Sequence, residues 1–353
     1  MYFCDENKIF VMIKTAVVIL NWNGKNLLEK FLPSVQKFSN SEDIEIIVAD
    51  NCSDDESVKY LKEYFPNIRI ISLDKNYGFA AGYNRSLKQV DAKYFVLLNS
   101  DVEVTENWIN PVIQLLDNDE SIAAVMPKIR AFNNKTYFEY AGAAGGFIDE
   151  YGFPFCRGRL FDNVEKDNTQ YDDESEIFWA SGAALFVRSD LYLQTGGLDE
   201  DFFAHMEEID FCWRMKNMGY KILYTSKSTV YHVGGASLSK FNPFKTYLNF
   251  RNNLFLLYKN LPSDKLIKTL FIRLIIDKIA AFKFLLSLEF GNFWAVIKAY
   301  YSFFMMRKKF RIKRNLLLLE YKSYHHKEIY NGSIVYDFFI RKIKTFKELK
   351  WKF

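Results

Sequence analysis

The sequence predicts an α/β protein with an open, doubly wound sheet, followed by a helical C-terminal extension. Three observations predict this class. Apolar segments of strand length alternate with segments of helical periodicity. A cluster of polar residues follows each of the early strands, as expected where parallel strands end at a cleft. From residue 249 onward the pattern becomes helical and rich in Phe, Lys and Arg.

The first four predicted strands are short apolar or β-branched runs at residues 15–20, 44–49, 68–73 and 94–98. Helices are predicted at 25–38 and 54–64, and a loop at 74–84 leads into a short third helix. The run at 94–98 is apolar on both faces, which favours a central strand of a parallel sheet.

Later elements are less regular. A helix is predicted at 107–118, a strand at 122–126, hairpins and loops over 130–175, and an apolar stretch at 177–187. A loop at 198–203 precedes a helix at 206–218, and two short strands follow at 220–224 and 229–231. Helical pattern then continues from residue 249 to the end.

Composition is that of a globular protein of one or two domains, with 49% hydrophobic and 25% charged residues among 353. The four cysteines form no CxxC pair, which favours free thiols in a reducing compartment and hence a cytoplasmic protein. The N-terminus, with Asp5 and Glu6, is not expected to be a signal peptide.

Charge is unevenly distributed along the chain. Residues 1–261 hold 27 Lys and Arg against 36 Asp and Glu, whereas residues 262–353 hold 20 against 7. Two apolar stretches of this tail, 266–288 and 293–306, are too interrupted to span a bilayer. They fit helices lying on an anionic membrane surface, and the alternative is a helical subdomain that packs on the body.

Carboxylates at strand ends are the first candidates for chemistry. Asp101, in Asn99-Ser100-Asp101 after the central strand, is placed to hold a divalent cation, although these residues also suit a plain turn. Asp50 can accept a hydrogen bond from a pyrimidine imide, or can belong to a helix-capping turn. The chain has no GxGxxG or GxxxxGK[ST] motif, which argues against a Rossmann dehydrogenase and a P-loop NTPase.

A second acidic cluster lies at residues 199–214. Asp210 and Arg214 are spaced to pair on one helix face. Glu207 and Glu208 either serve as a general base or simply suit a helix N-terminus. His232 follows a β-branched strand, where a structural role is the ordinary alternative to a metal ligand.

Together these residues resemble the family 2 inverting glycosyltransferases of GT-A fold, particularly the rhamnosyltransferase-like branch of bacterial polysaccharide synthesis. The resemblance covers about the first two-thirds of the chain. It is carried by seven motifs in order: VVILNWNG (17–24), ADNCSDD (49–55), NYGFAAGYN (76–84), LLNSDVEV (97–104), SGAALFVR (181–188), GGLDEDFFAHMEEIDFCWR (196–214) and VYHVGGAS (230–237).

The resemblance implies roles for residues at these motifs. Asp101 would be the direct ligand of Mg²⁺ or Mn²⁺ in the DxD position, where Asn99 replaces the first Asp, and His232 matches a further metal-binding position. Glu208 falls at the catalytic base, with Glu207 as its rival. Asp50 would read the pyrimidine, and Trp179 and Gly182 would line the acceptor side. The other expected substrate-binding residues are Asn21, Asn23, Asn76, Asn84, Asn99, Asp210 and Arg214.

The implied reaction is an inverting, metal-dependent sugar transfer. The expected donor is a dTDP- or UDP-sugar, with dTDP-rhamnose among the candidates, and the expected acceptor is a hydroxyl of a saccharide or lipid-linked acceptor. The expected partners include a membrane surface and exclude nucleic acid. The expected domains are an N-terminal extension (1–14), a GT-A domain (15–261) and a basic helical tail (262–353). A sugar-1-phosphate nucleotidyltransferase and a non-catalytic nucleotide-sugar-binding protein remain as alternatives.

Overall fold

The computed structural model describes residues 13–234 and 242–352. The expected N-terminal extension therefore lies outside the described residues except for Ile13 and Lys14, and so does the end of the last motif, 235–237. In the described part the strands are β1 (Thr15–Asn21), β2 (Ile44–Asp50), β3 (Arg69–Ser72), β4 (Tyr94–Asn99), β5 (Val102–Val104), β6 (Ile122–Ala131), β7 (Gly146–Asp149), β8 (Pro154–Cys156), β9 (Arg159–Leu160), β10 (Asn163–Val164), β11 (Glu174–Ile177), β12 (Ala184–Arg188), β13 (Lys221–His232) and β14 (Ile329–Tyr330).

Helices alternate with the early strands along the chain, and three long helices follow β13. The helices are α1 (Lys25–Phe38), α2 (Ser57–Tyr64), α3 (Gly78–Leu87), α4 (Asn110–Asn118), α5 (Ser189–Gln194), α6 (Glu207–Asn217), α7 (Pro243–Asn260), α8 (Ser263–Leu286), α9 (Phe290–Leu318) and α10 (Ile334–Phe339).

The main sheet is mixed and runs in the order β11-β13-β6-β12-β4-β1-β2-β3, with β5 paired to β13. Strands β3, β2, β1 and β4 are parallel to one another, while β12 is antiparallel to both β4 and β6. The central position predicted for the run at 94–98 is confirmed, since its five side chains are all fully buried. The expected doubly wound α/β architecture is therefore present.

Two regions differ in detail from the sequence prediction. Residues 220–231 were predicted as two strands, but β13 is one strand with an irregularity between Thr225 and Thr229. The predicted hairpins and loops over 130–175 are confirmed as β7 to β10, which join β14 in a second small sheet. The apolar stretch 177–187 is divided into the end of β11, a turn around Gly182, and β12.

The C-terminal part packs on the body along one side of its helices. Helix α9 lies against α7, where the Phe255 and Phe310 rings stack with their centroids 3.6 Å apart. Arg314 of α9 donates to the carbonyl oxygens of Tyr258 and Leu261 at the end of α7. Among the described residues, no helix has both the length and the apolar character needed to cross a bilayer.

The prediction of continuous helix to the C-terminus is wrong beyond Leu318. There the chain becomes irregular, and β14 adds to the small sheet by pairing in parallel with β7. Phe346 and Trp351 then pack against Phe147. The end of the chain therefore packs against the small sheet instead of continuing a helix.

Candidate active site

The carboxyl ends of the parallel strands bring the first group of predicted site residues to one edge of the sheet. Asn21 at the end of β1 is in register with Asp50 at the end of β2, and Leu20 is in register with Asn99 of β4. The Asn21 side chain donates to Asp50 Oδ1 over 3.1 Å. The alternation of strands and helices thus produces a row of polar groups at the cleft edge.

Asp50 is anchored within this row. It is 3% exposed, and its Oδ2 accepts from the backbone N–H of Ser53 at 3.0 Å. Asn23 accepts from the backbone N–H of Asp54 at 2.8 Å, which fixes the turn after β1 against the turn after β2. Asp50 thus closes a local turn, but the helix cap weighed from the sequence is absent, because α2 begins at Ser57 and its N-cap residue Glu56 makes no side-chain cap hydrogen bond. The pyrimidine contact of Asp50 stays a prediction.

The asparagines of the third motif fasten the start and end of α3. Asn76 Oδ1 accepts from Asn51 Nδ2 at 3.0 Å and from the backbone N–H of Gly78 at 2.8 Å. Asn84 is buried, and its amide bridges the backbone of Leu198, donating to the carbonyl at 2.7 Å and accepting from the N–H at 3.0 Å. Both asparagines hold loops in place, so their predicted contact with substrate remains untested.

Asp101 and His232 come together from distant parts of the chain. Strand β5 pairs with the end of β13, which brings His232 Nε2 to 3.1 Å from Asp101 Oδ1. The other ring nitrogen, Nδ1, lies 3.3 Å from Glu139 Oε2. All three side chains are buried. Gly234 has φ +69°, which residues with a side chain rarely adopt, and a Cβ there would lie 2.5 Å from Glu139 Oε1.

The charges of these groups are mutually stabilised. Burial alone would lower the pKa of His232, but its contacts with Asp101 and Glu139 outweigh burial and raise the pKa to about 10. Burial acts to raise the pKa of Asp101, yet the hydrogen bond with His232 leaves it below its ordinary value.

The donor set fits a divalent cation at Asp101 and His232. Among the described residues no three acidic, Cys or His side chains surround a common point. The two ring nitrogens of His232 point to opposite sides, so Glu139 cannot share a metal with Asp101. Glu139 can instead accept the proton of His232 Nδ1, which leaves Nε2 free to bind a metal. A carboxylate commonly accepts from the second ring nitrogen of a metal-binding histidine in this way. One carboxylate and one imidazole suit Mn²⁺ or Mg²⁺, with further oxygens supplied by a diphosphate and water.

A tight turn joins this group to the second acidic cluster. The carbonyl oxygen of Ala183 accepts from the backbone N–H of Asn99 at 3.0 Å, next to Asp101. One residue earlier, a Cβ built on Gly182 would lie 3.9 Å from the Cβ of Glu208. The three-residue turn at 181–183 therefore touches the Asn99–Asp101 turn on one side and the start of α6 on the other. The turn thus links the backbone at Asn99, two residues before Asp101, to the start of α6 at Glu208.

Glu207 and Glu208 begin α6 and differ in exposure. Glu207 is 4% exposed, whereas Glu208 is only partly buried. Burial, reinforced by repulsion from Glu208, raises the pKa of Glu207 well above its ordinary value. Burial raises the pKa of Glu208 to about 7. Among the described residues, Oε2 of each carboxyl is buried and has no hydrogen-bond partner. Of the two, Glu208, whose pKa lies near neutrality, matches the requirements of a general base better.

Trp179, Asp210 and Arg214 are engaged within the protein. The Trp179 indole is 4% exposed and donates from Nε1 to the carbonyl oxygen of Phe147 at 2.9 Å. The predicted pairing on α6 is confirmed, because Arg214 Nε lies 3.0 Å from Asp210 Oδ2. Asp210 is fully buried and also binds Lys259. The structure thus gives these three residues packing contacts, and their predicted roles toward substrate remain untested.

Residues 16–188 match the model of glycosyl transferase family 2. This part of the chain is a domain of that family. The chain is 24% identical over 230 residues to N-acetylglucosaminyl-diphospho-decaprenol L-rhamnosyltransferase of Mycobacterium tuberculosis, covering 61% of this chain and 75% of that protein. It is also 21% identical over 215 residues to rhamnosyltransferase WbbL of Escherichia coli, covering 59% of this chain and 79% of that protein.

The fold is the GT-A fold of these glycosyltransferases. GalNAc-T7, solved with UDP, GalNAc and Mn²⁺, superposes with a TM-score of 0.55 at 17% identity. The match covers 72% of this chain and 48% of that one. This agrees with the fold that the seven motifs indicated. The family 2 domain and the two rhamnosyltransferase relatives make the protein a glycosyltransferase.

Sequence reasoning missed Glu139. It lies in the region between 130 and 175, which has little periodicity, and no spacing rule connects it to His232. The close approach of Glu139 to Gly234 depends on the pairing of β6 with β13, so it is visible only in the structure.

Proposed function

We propose that this family 2 enzyme is an inverting, metal-dependent glycosyltransferase that uses a dTDP- or UDP-sugar, with dTDP-rhamnose as the first donor to test. Its acceptor is a hydroxyl of a saccharide or lipid-linked saccharide in cell-surface polysaccharide synthesis. The observation that carries the proposal is the turn at 181–183, which contacts Asn99 on one side and lies beside Glu208 on the other. This contact supports placing the proposed cation-binding and proton-accepting groups at one site.

In this mechanism Glu208 acts on the acceptor. Its carboxylate takes the proton of the acceptor hydroxyl as the oxygen attacks the anomeric carbon, and the bond from that carbon to the diphosphate oxygen breaks. The nucleoside diphosphate departs with the bonding electron pair, and a single displacement inverts the configuration. Asp101 and His232 would hold the divalent cation, which, when bound, offsets the charge of the diphosphate.

Other residues shape the proposed donor and acceptor sides of the site. Asn21 and Asp50 fix the strand ends against which the nucleotide would lie, and Gly182 keeps the space beside Glu208 free of a side chain. The mycobacterial relative is named for an acceptor in which a sugar is carried on a lipid diphosphate. That name supports a lipid-linked acceptor here.

The alternative activities are less well supported. A nucleotidyltransferase needs a Gly-rich basic loop after the first strand, and the turn after β1 reads NWNGKN. The family match likewise favours an enzyme over a non-catalytic binding protein.

The proposed function is tested by incubating the purified protein with UDP-, dTDP- and GDP-sugars and a lipid-diphosphate saccharide acceptor. We expect release of the nucleoside diphosphate with one pyrimidine donor, dependence on Mn²⁺ or Mg²⁺, and loss on adding EDTA. The product should carry the anomeric configuration opposite to that of the donor, as read by NMR. Retention of configuration, or equal turnover in EDTA, would contradict the proposal.

The tail also supports a site of action at the cytoplasmic face of a membrane. Helices α8 and α9 leave apolar side chains exposed at helical spacing on the sides opposite their buried faces. The residues with more than half of their surface exposed are Ile267, Phe271, Ile279, Phe282 and Leu286 on α8, and Phe290, Trp294, Tyr301, Phe304, Met305, Ile312 and Leu316 on α9. Exposed Lys268, Lys278, Arg307, Lys308 and Arg311 accompany them.

This combination of apolar and basic side chains matches a helix pair lying in the interface of an anionic bilayer, where each Lys or Arg near the surface contributes about 1 kcal/mol. Co-sedimentation with vesicles containing anionic lipid should be lost in an Ile279→Glu, Phe304→Glu double variant. Tyr64→Glu, on the exposed face of α2, is the control. Equal sedimentation of both variants would refute membrane contact through these helices.

A further inference from the structure

The segment that leads into Glu207 and Glu208 has an unusual backbone. Phe203, His205 and Met206 have φ values of 67°, 68° and 73°, in the left-handed region that bulky residues avoid. Three such residues within four positions require surrounding contacts to hold them. The segment directly precedes the first turn of α6, so its shape determines where the Glu208 side chain points.

Asn252 on α7 provides the main contacts. It is fully buried, and its Nδ2 lies 3.0 Å from the carbonyl oxygen of Phe202 and 2.8 Å from those of Ala204 and His205. One side-chain amide thus binds the carbonyl groups on either side of Phe203 and the one just before Met206. These carbonyls would not converge on one point if the segment adopted ordinary extended or helical backbone.

Arg251 fixes the orientation of that amide. Its Nε and Nη2 donate to Asn252 Oδ1 at 2.9 and 2.7 Å. Because Oδ1 accepts from the guanidinium, Nδ2 must face the three carbonyls rather than the reverse. Arg251 Nη2 also donates to the carbonyl oxygens of Asp201 and Phe202, at 3.1 and 2.9 Å.

The ends of the segment are held by buried charges. Lys259 of α7 binds Asp199 before the segment and Asp210 after it, at 2.5 and 2.8 Å. Lys313 of α9 binds both Asp199 and Asp201. Helices that follow the family-matched region therefore hold the residues from Asp199 to Asp210 at both ends and in the middle.

We propose that Asn252, oriented by Arg251, is a positioning residue for the catalytic base: by gathering the carbonyls of Phe202, Ala204 and His205 it aims Glu208 at the acceptor hydroxyl. This inference rests on the proposed role of Glu208. It assigns to α7 a part in catalysis, although none of its residues is placed in contact with substrate.

The matched control is the next residue on the same helix. Asn253 is 3% exposed, donates to the carbonyl oxygen of Gly152, and accepts from Arg273 on α8, so it faces away from the 199–206 segment. Asn252→Ala and Asn253→Ala each remove one buried amide. Arg251→Lys is a milder variant that keeps the positive charge but removes the planar pair of donors that holds Asn252 Oδ1.

Three readouts separate positioning from general destabilisation. At a temperature where all variants are folded, we expect Asn252→Ala to lower kcat about 100-fold relative to Asn253→Ala, since a displacement of about 1 Å has that effect on catalysis. KM for the donor should change less than about threefold, because no donor contact is lost. Arg251→Lys should fall between the two, and the acid limb of the pH–kcat profile should shift only in Asn252→Ala and Arg251→Lys.

Amide hydrogen exchange of residues 202–208 tests the same inference without relying on turnover. We expect faster exchange in Asn252→Ala than in Asn253→Ala. Equal exchange, or equal kcat in the two variants, would overturn the positioning role. An inactive wild-type enzyme with the expected exchange difference would instead contradict the proposed function. It would still show that Asn252 holds the segment before Glu207 in place.

Discussion

Replacing Lys259 by Met tests the charge network that joins α7 to α6. Lys259 Nζ lies between Asp199 Oδ2, at 2.5 Å, and Asp210 Oδ2, at 2.8 Å. The three side chains are 2%, 6% and 0% exposed, so water cannot replace the ammonium group. Methionine has a similar length and no charge, and the variant therefore leaves two buried carboxylates with fewer partners.

Removing one partner of a buried ion pair costs about 3–5 kcal/mol of the free energy of unfolding. The lower end of that range applies here. Asp210 keeps Arg214 and Asn260 as partners, and Asp199 keeps Lys313. We therefore expect Lys259→Met to lower the free energy of unfolding by about 3 kcal/mol, as measured by urea denaturation.

Lys93→Met is the control for this measurement. Lys93 pairs with Asp117 at 2.8 Å, but its side chain is 47% exposed. An exposed pair contributes about 0–1 kcal/mol, so this variant should unfold at nearly the wild-type urea concentration. If Lys259→Met were no more destabilised than Lys93→Met, the buried network would not be what holds α7 to the segment before α6.

Three further outcomes follow from the site. Because burial raises the pKa of Glu208 to about 7 and a base must be ionised, kcat should fall as pH drops below about 7, and a profile flat down to pH 5 would contradict this role. Asp101→Asn should abolish the increase in thermal stability that UDP or dTDP gives in the presence of Mn²⁺, and an unchanged increase would remove Asp101 from the cation site. A Cβ on Gly146 would lie 2.1 Å from the Trp179 indole, so Gly146→Ala should lower the free energy of unfolding by at least about 1–3 kcal/mol, whereas an unchanged melting temperature would show that this packing can shift.

Local pattern predicted the parts of the fold that depend on near neighbours in the chain. The run at 94–98 is apolar on both faces, and that property indicates a central strand. The pairing of Asp210 with Arg214 likewise follows from helical spacing. The polar ends of β1, β2 and β4 meet because parallel strands share an edge.

Contacts between distant segments were not predictable in this way. Glu139 joins His232 across 93 residues of sequence, and nothing in its neighbourhood marks it as special. In the sequence nothing distinguishes Asn252 from the other polar residues of its helix. Its contacts with the carbonyl oxygens of Phe202, Ala204 and His205 are visible only in the structure. The chain beyond Leu318 has helical spacing but pairs with β7 instead, because the small sheet offers it an open edge.

The pair Glu207→Gln and Glu208→Gln tests the central claim most directly. Glutamine resembles a protonated carboxyl, and the buried Glu207 has a pKa raised well above its ordinary value, so Glu207→Gln should keep most of the activity. Glu208→Gln removes the group that takes the acceptor proton, and kcat at saturating donor and acceptor should fall about 10²–10⁴-fold with donor binding intact. Full turnover in Glu208→Gln, or a larger loss in Glu207→Gln, would contradict the assignment of Glu208 as the base.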